Sequence, residues 1–151
     1  MAVARWTRLL GALALLGVGV DHLEQLTIDA YAVIPTVGTL FALNVAAATS
    51  LAAALLAPVQ RLPGRAGRVA VPALAAAGIG VATGSLAALA ISERGGLFGF
   101  RETGDRRAIV LAVGLELATI VLLGLHLAAR RDAGHVVPEA RSSTGPRGSA
   151  L

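Results

Sequence analysis

The chain contains four runs of about twenty mostly apolar residues, and this feature constrains its fold more than any other. The runs cover residues 6–26, 34–56, 69–91 and 108–129 of the 151-residue sequence. A helix needs about 20 apolar residues to cross the hydrocarbon core of a bilayer. Lipid satisfies no backbone hydrogen bonds, so a spanning segment must satisfy its own. The pattern therefore predicts an all-α, four-helix transmembrane bundle.

The composition agrees with this prediction. Hydrophobic residues make up 56% of the chain and charged residues only 15%, whereas soluble domains carry about 25% charged residues. A soluble domain this small has too much surface to cover with so few charges. The same apolar content excludes a disordered chain. We expect a multi-pass protein of the plasma membrane.

The distribution of arginine predicts the orientation of the bundle. All thirteen basic residues are arginines, and nine of them lie before or at the start of the first run, between the second and third runs, or after the fourth. Four lie between the third and fourth runs and none between the first and second. The positive-inside rule therefore places both termini in the cytoplasm, with Trp6 at the inner interface and Tyr31 at the outer one. Because these arginines separate apolar runs instead of forming a basic face, we expect no nucleic-acid partner.

The two ends of the chain need separate interpretations. Arg5 and Arg8 before a short apolar core are also typical of a secretory signal peptide. Gly17-Val18-Gly19 is a poor cleavage site and Asp21 follows it closely, which favours an uncleaved span. Residues 130–151 are rich in Arg, Ser and Gly, and predict a disordered cytoplasmic tail.

One acidic residue, Glu116, lies near the middle of the fourth run. A carboxyl group at that depth costs several kcal/mol unless it is paired, protonated or faces a cavity. It is either part of a functional site or a protonated side chain that hydrogen-bonds a neighbouring helix and holds the bundle together. At about 100° per residue, one interior-facing stripe about 80° wide holds Ala112, Glu116, Thr119, Leu123 and His126.

Polar residues of the other three runs lie at a similar depth. Counted from the outer side, Asn44 and Glu116 differ in depth by about 3 Å, so a hydrogen bond between them is feasible. Thr83 and Ser85 lie at a comparable depth on the third run, and His22 lies near the outer end of the first. We predict a binding cluster in the outer half of the bundle, formed by His22, Asn44, Thr83 or Ser85, and Glu116.

The segment between the third and fourth runs is apolar and rich in glycine at residues 95–100. We favour a loop whose two aromatic residues, Phe98 and Phe100, enter the headgroup layer, as interfacial aromatics commonly do. The alternative is a lid over a pocket between the helix ends.

Small residues repeat every four positions along the third run, at Ala76, Gly80, Gly84 and Ala88. Such a stripe lets another helix approach closely. We expect that helix to belong to the same bundle, and a second copy of the chain is the alternative. Gly17 and Gly19 are candidates for the same role on the first run.

The sequence lacks the motifs of familiar metal and catalytic centres. It has no cysteine, and the ligand spacings of zinc and di-iron sites do not occur in it. His22 and His126 lie toward opposite sides of the membrane, which argues against a haem held between them. No nucleophile or phosphate-binding motif is present. We therefore predict no metal, no cofactor and no catalytic residue.

Two stretches of the sequence carry a resemblance. One is His22-Leu23 followed by residues 31–44, YAVIPTVGTLFALN, and the other is residues 96–102, GLFGFRE. They resemble patterns in a family of small four-span actinobacterial integral membrane proteins of unknown activity. The resemblance covers residues 8–129 and implies the topology but no activity. It groups the glycine-rich loop with His22, Tyr31, Pro35 and Asn44.

Three classes of function remain. The favoured one is a non-enzymatic bundle that binds membrane lipid or a membrane protein partner, including a second copy of the chain. The alternative is a small proton-linked carrier or transporter subunit that uses Glu116, Asn44 and His22. Four spans are few for alternating access, so a carrier would have to form oligomers. The least favoured is a membrane enzyme acting on lipid or quinone with His22 as base, since nothing in the sequence pairs a nucleophile with a base.

Overall fold

The structure, a computed structural model, describes residues 2–29, 31–101 and 106–135. These residues form an all-α fold of four long helices. The helices are α1 (Ala2–Thr27), α2 (Pro35–Leu56), α3 (Gly64–Gly95) and α4 (Arg106–His135). Two 3-10 turns, Tyr31–Val33 and Val59–Arg61, precede α2 and α3.

Each predicted run coincides with one helix, and all four helices are long and apolar enough to cross a membrane. The architecture therefore indicates a multi-pass membrane protein. Helices α1, α3 and α4 extend beyond the predicted runs. A helix of 32 residues such as α3 is about 48 Å long. Because the hydrocarbon core is about 30 Å thick, the ends of α3 are long enough to emerge from it.

The prediction of a tail that starts at residue 130 is wrong in its first residues. Helix α4 continues to His135 without a break. The reason is local, since alanine and arginine at the end of the fourth run are among the strongest helix formers. The remainder of the predicted tail, residues 136–151, lies outside the described residues.

The connection between α1 and α2 folds tightly against the start of α2. Pro35 occupies the first turn of α2, where its missing N–H costs no hydrogen bond. Gly38 lies against the preceding turn, because a Cβ atom there would approach the Tyr31 carbonyl oxygen to 2.8 Å. This close approach fixes the Tyr31 turn beside the first two turns of α2.

Helix α1 packs mainly against α2 and α4, while α3 packs against α4 and less extensively against α2. We call the half of the bundle that contains the chain ends and the α2–α3 connection the terminal half. The half that contains the other two connections is the distal half. The buried apolar core fills the middle and the terminal half. It consists of Ala12, Leu15, Val18, Ala48, Ala52, Leu55, Val71, Ala75 and Leu123.

Glycines allow the helices of the core to approach closely. A Cβ atom at Gly78 would lie 2.9 Å from Leu123 Cδ1 and 3.0 Å from Leu15 Cδ2. Gly17 and Gly19 likewise pack against side chains of α4 and α2, since a Cβ atom at Gly17 would lie 2.9 Å from Leu115 and one at Gly19 would lie 2.7 Å from Thr49. Small residues on α1 and α3 therefore hold this bundle together through backbone proximity.

The intramolecular contact predicted for the small-residue stripe of α3 is wrong for its two glycines. Gly80 and Gly84 are exposed, and a Cβ atom at either would meet no described atom within 4 Å. The face of α3 that packs within the bundle carries Gly78 instead. Gly78 and Gly80 are about 200° apart around the helix, so they occupy opposite faces.

Candidate functional site

The distal half contains a cavity of about 350 Å³ that is lined by residues of all four helices. This volume lies at the lower end of the range for small-molecule pockets, about 300–1,000 Å³. Most of the lining is apolar, with side chains such as Val37, Leu40, Phe41, Val81 and Ile109. The polar residues that line it are His22, Gln25, Asn44, Ser85, Ser92 and Glu116.

The cavity opens sideways between α2 and α3. Leu40 and Leu43 of α2 line the cavity yet are 39% and 60% exposed. The two stripe glycines of α3, Gly80 and Gly84, also line it and are exposed. In a bilayer this opening faces lipid chains. The stripe thus borders an entrance instead of a helix contact.

Glu116 lies at the inner wall of the cavity and is only 1% exposed. Neither of its carboxyl oxygens forms a hydrogen bond within the described residues. The Ser85 hydroxyl lies near the carboxyl group, but the geometry between the two groups is not that of a hydrogen bond. The structure therefore gives Glu116 no hydrogen bond that would hold two helices together.

The stripe predicted on α4 is confirmed. Ala112, Glu116, Thr119, Leu123 and His126 are all buried. The first two line the cavity, and Leu123 belongs to the core. His126 lies in the terminal half, where its Nδ1 is 2.7 Å from the Ala4 carbonyl oxygen. His126 is therefore remote from the cavity, as its position in the sequence predicts.

His22 is held in one orientation by two hydrogen bonds. Its Nδ1 lies 3.0 Å from the Val18 carbonyl oxygen. Because a carbonyl only accepts, Nδ1–H is the donor in this bond. In the neutral ring Nε2 then accepts, and its partner at 3.2 Å is the Ser85 hydroxyl. Helices α1 and α3 are thereby joined at the wall of the cavity.

Asn44 also lines the cavity, with a buried Oδ1 that has no hydrogen-bond partner. The Asn44–Glu116 hydrogen bond that the similar depths made feasible is not formed, since the carboxyl oxygens of Glu116 are unpartnered as well. Asn44 and Glu116 lie at a similar depth, but the cavity between their helices keeps the two side chains apart.

Of the two candidates on α3, the structure brings only Ser85 into the cluster. Thr83 is exposed and does not line the cavity. The two residues are about 200° apart around α3, so both cannot face the same side. The cavity thus contains His22, Asn44, Ser85 and Glu116 from the predicted cluster, one from each helix, whereas Thr83 faces outward.

Aromatic side chains close the distal end of the cavity. The Tyr31 ring stacks on Phe41 at 4.9 Å and meets Phe100 edge-on at 5.6 Å. Phe41 in turn lies 5.1 Å from the His22 ring. Phe100 and Leu97 line the cavity, so this part of the loop covers the cavity as the lid alternative requires. Phe98 is 69% exposed and points away, as the interfacial interpretation requires.

The tight turn of this loop explains why its two aromatic residues diverge. Leu97 and Phe100 exchange two backbone hydrogen bonds of 2.6 and 2.9 Å. Gly96 and Gly99 adopt positive φ angles of 83° and 80°, which glycine adopts without strain. The turn therefore directs Phe100 toward Tyr31 while Phe98 remains at its exposed corner.

Sequence reasoning missed Phe41, which contacts both His22 and Tyr31. The sequence did contain a signal for it, because Phe41 lies three residues before Asn44 and so shares a helix face with it.

Within the described ranges, no group of three or more His, Cys, Asp or Glu side chains is suited to hold a metal ion.

Comparison of the chain with protein-family models, with curated proteins and with solved structures finds no match in any of the three. The resemblance to a four-span actinobacterial family therefore stays a prediction. The fold and the site together define a helical multi-pass membrane protein with a laterally open cavity and a buried carboxyl group.

Proposed function

We propose that this protein is a non-enzymatic membrane protein that binds a membrane-soluble small molecule or lipid in the distal cavity. The observation that carries the proposal is Glu116, which is fully buried with both carboxyl oxygens unpartnered at the wall of an apolar cavity. Leaving a buried polar group unsatisfied costs about 1–3 kcal/mol, and more for a charged group. A ligand that hydrogen-bonds the carboxyl group would offset this cost.

The lateral opening supports a ligand that arrives from the bilayer. Its borders are leucines on α2 and glycines on α3, so an apolar chain meets no polar barrier on entry. The aromatic residues Tyr31, Phe41 and Phe100 close the other route, at the distal end. A lipid-soluble molecule therefore has a direct path to the Glu116 carboxyl group.

Transport across the membrane requires a conformational change that binding does not require. A carrier must expose the same site to the terminal side as well. Fully buried apolar residues of the core, among them Leu15 and Leu123, lie between the cavity and that side. Binding needs no rearrangement of this core, which favours it over proton-linked carriage.

One contact favours a second candidate, an acyl-transfer enzyme acting on lipid. Contrary to the expectation that no nucleophile is paired with a base, Ser85 Oγ lies 3.2 Å from His22 Nε2. The Val18 carbonyl holds the tautomer in which Nε2 is the base. Ser85 lies within helix α3, however, where neighbouring backbone N–H groups are used by the helix and cannot form an oxyanion hole. Covalent labelling of Ser85 by a fluorophosphonate would favour this candidate over binding.

The experiment that tests binding is native mass spectrometry of the protein after gentle extraction from its own membrane. We expect a stoichiometric adduct of one small molecule per chain. Gly84→Leu should remove the adduct, because its side chain would fill the entrance without a backbone clash. Thr83→Leu is the matched control, since Thr83 faces away from the cavity, and should retain it.

Two results would contradict the proposal. One is a wild-type protein that carries no adduct and forms a discrete homo-oligomer, which would make the α3 stripe a contact between copies. The other is an adduct that persists in Gly84→Leu, because the bound molecule would then lie elsewhere.

A further inference from the structure

The unpartnered buried polar atoms of the cavity are all hydrogen-bond acceptors. Among the described residues that line it, these atoms are Oε1 and Oε2 of Glu116 and Oδ1 of Asn44. They come from opposite walls, α4 and α2. A ligand that satisfies them must present hydrogen-bond donors to both.

Most of the donors at the cavity wall are already engaged within the protein. The Ser85 hydroxyl donates to His22, whose own ring N–H donates to Val18. Gln25 Nε2 donates to Asp21 Oδ2 at 2.6 Å, and Ser92 Oγ donates to the Phe100 carbonyl oxygen at 3.4 Å. Apart from the Asn44 amide group, the cavity therefore presents hydrogen-bond acceptors and few donors to a ligand.

The electrostatic character of the cavity is acidic. No arginine lines it within the part of the chain that the structure describes. A second carboxyl group, that of Asp21, is buried on α1 directly before His22, which lines the cavity. An ionised carboxylate in apolar surroundings is strongly stabilised by a cation and strongly disfavours a second anion.

We infer that the ligand is an amphiphile with a primary ammonium head, bound through N–H donation to Glu116 and Asn44 with its apolar chain toward the α2–α3 opening. An ammonium head carries three donors and a positive charge. The donors match the acceptor oxygens on the two walls, and the charge complements the carboxyl group of Glu116, which has no arginine beside it in the lining. The apolar lining and the lateral opening accept the chain. This inference rests on the proposed function and specifies the chemical class of its ligand.

The test compares four amphiphiles of equal chain length on the purified, detergent-solubilised wild-type protein. They are dodecylammonium, dodecyltrimethylammonium, dodecanol and dodecanoate. We expect dodecylammonium to bind at least about tenfold more tightly than dodecanol or dodecanoate, as a charge-assisted hydrogen bond implies. Dodecyltrimethylammonium should bind less tightly than dodecylammonium, because it has the charge but no N–H donor.

Variants then locate the head group. Glu116→Gln keeps the shape of the side chain but removes its charge, and should lower the affinity for dodecylammonium by about tenfold or more. Thr83→Val is the matched control and should leave the affinity unchanged. A thermal unfolding measurement on each variant shows whether it remains folded, and the comparison of head groups on wild-type protein needs no variant.

The outcomes separate this inference from the proposed function. If dodecanol or dodecanoate binds as tightly as dodecylammonium, the inference about the head group is wrong while binding in the cavity stands. If dodecylammonium binds equally to wild-type protein and Glu116→Gln, the inference is also wrong. If none of the four binds and the extracted protein carries no adduct, both fail together.

Discussion

The two halves of the bundle use the same small residues to opposite effect. In the terminal half, Gly78 brings α3 so close to α1 and α4 that Leu15 and Leu123 leave no room for a Cβ atom. In the distal half, Gly80 and Gly84 border open space. In lipid, burying apolar surface between helices gains little free energy, so helix association depends on close packing. Close packing in the terminal half therefore stabilises the bundle, whereas the looser packing of the distal half leaves a cavity.

The strongest test of this comparison places the same side chain in each half. Gly78→Leu would force a leucine into atoms that already lie 2.9 Å from the position of a Cβ atom. Overpacking of this kind costs about 1–3 kcal/mol and occasionally more. We expect the upper part of that range, measured as the free energy of unfolding in mixed micelles.

Gly80→Leu is the matched control, two residues away on the same helix. Its side chain would enter the cavity without meeting a described atom at the Cβ position. We expect it to unfold at the wild-type denaturant concentration or above. Equal destabilisation by the two variants would mean that the distal half is packed as closely as the terminal half.

A second, smaller effect has the opposite sign. Glu116→Leu removes a buried carboxyl group that has no hydrogen-bond partner and replaces it with a side chain that suits the apolar wall. Removing an unsatisfied buried polar group is expected to stabilise the protein by about 1 kcal/mol. The same variant should lose its ligand, so stability and binding would change in opposite directions.

This prediction separates a binding residue from a structural one. If Glu116 holds the bundle together, Glu116→Leu will lower the free energy of unfolding in protein freed of ligand. Thermal unfolding of wild-type protein and variant, with and without ligand, measures both quantities.

The sequence predicted the number of helices and the depth of the polar residues but not the rotation of every helix. On α4, Glu116 and His126 mark one face of an otherwise apolar helix, so its buried stripe was predictable. On α3, the polar and small residues do not mark a single face, and both Thr83 and Ser85 lie at the right depth. Lipid-facing helices are apolar all round, so no amphipathic pattern distinguishes their inner face. The choice between Thr83 and Ser85 therefore required the packing against α4.

The cavity itself was also beyond the sequence. Its volume depends on how far α3 stands from α2, and glycines at 80 and 84 are as compatible with close packing as with a gap. Whether the glycine-rich loop covers the cavity could not be predicted either, because its position depends on a contact between Phe100 and Tyr31. The Tyr31 turn packs beside Gly38, and this places the Tyr31 ring against Phe100.

The smallest expected effect tests the rotation of α3 directly. Ser85→Ala removes the hydroxyl that lies 3.2 Å from His22 Nε2. Interhelical hydrogen bonds in membrane proteins contribute about 0.6 kcal/mol on average, so we expect a loss of that size in the free energy of unfolding. Thr83→Ala removes an outward-facing hydroxyl at the same depth and should cost less. The imidazole resonances of His22 provide a second readout, since they should shift in Ser85→Ala and stay in place in Thr83→Ala. If the two variants behaved alike, or Thr83→Ala alone moved those resonances, α3 would present its other face to the cavity, and the arrangement of the acceptors around Glu116 would have to be revised with it.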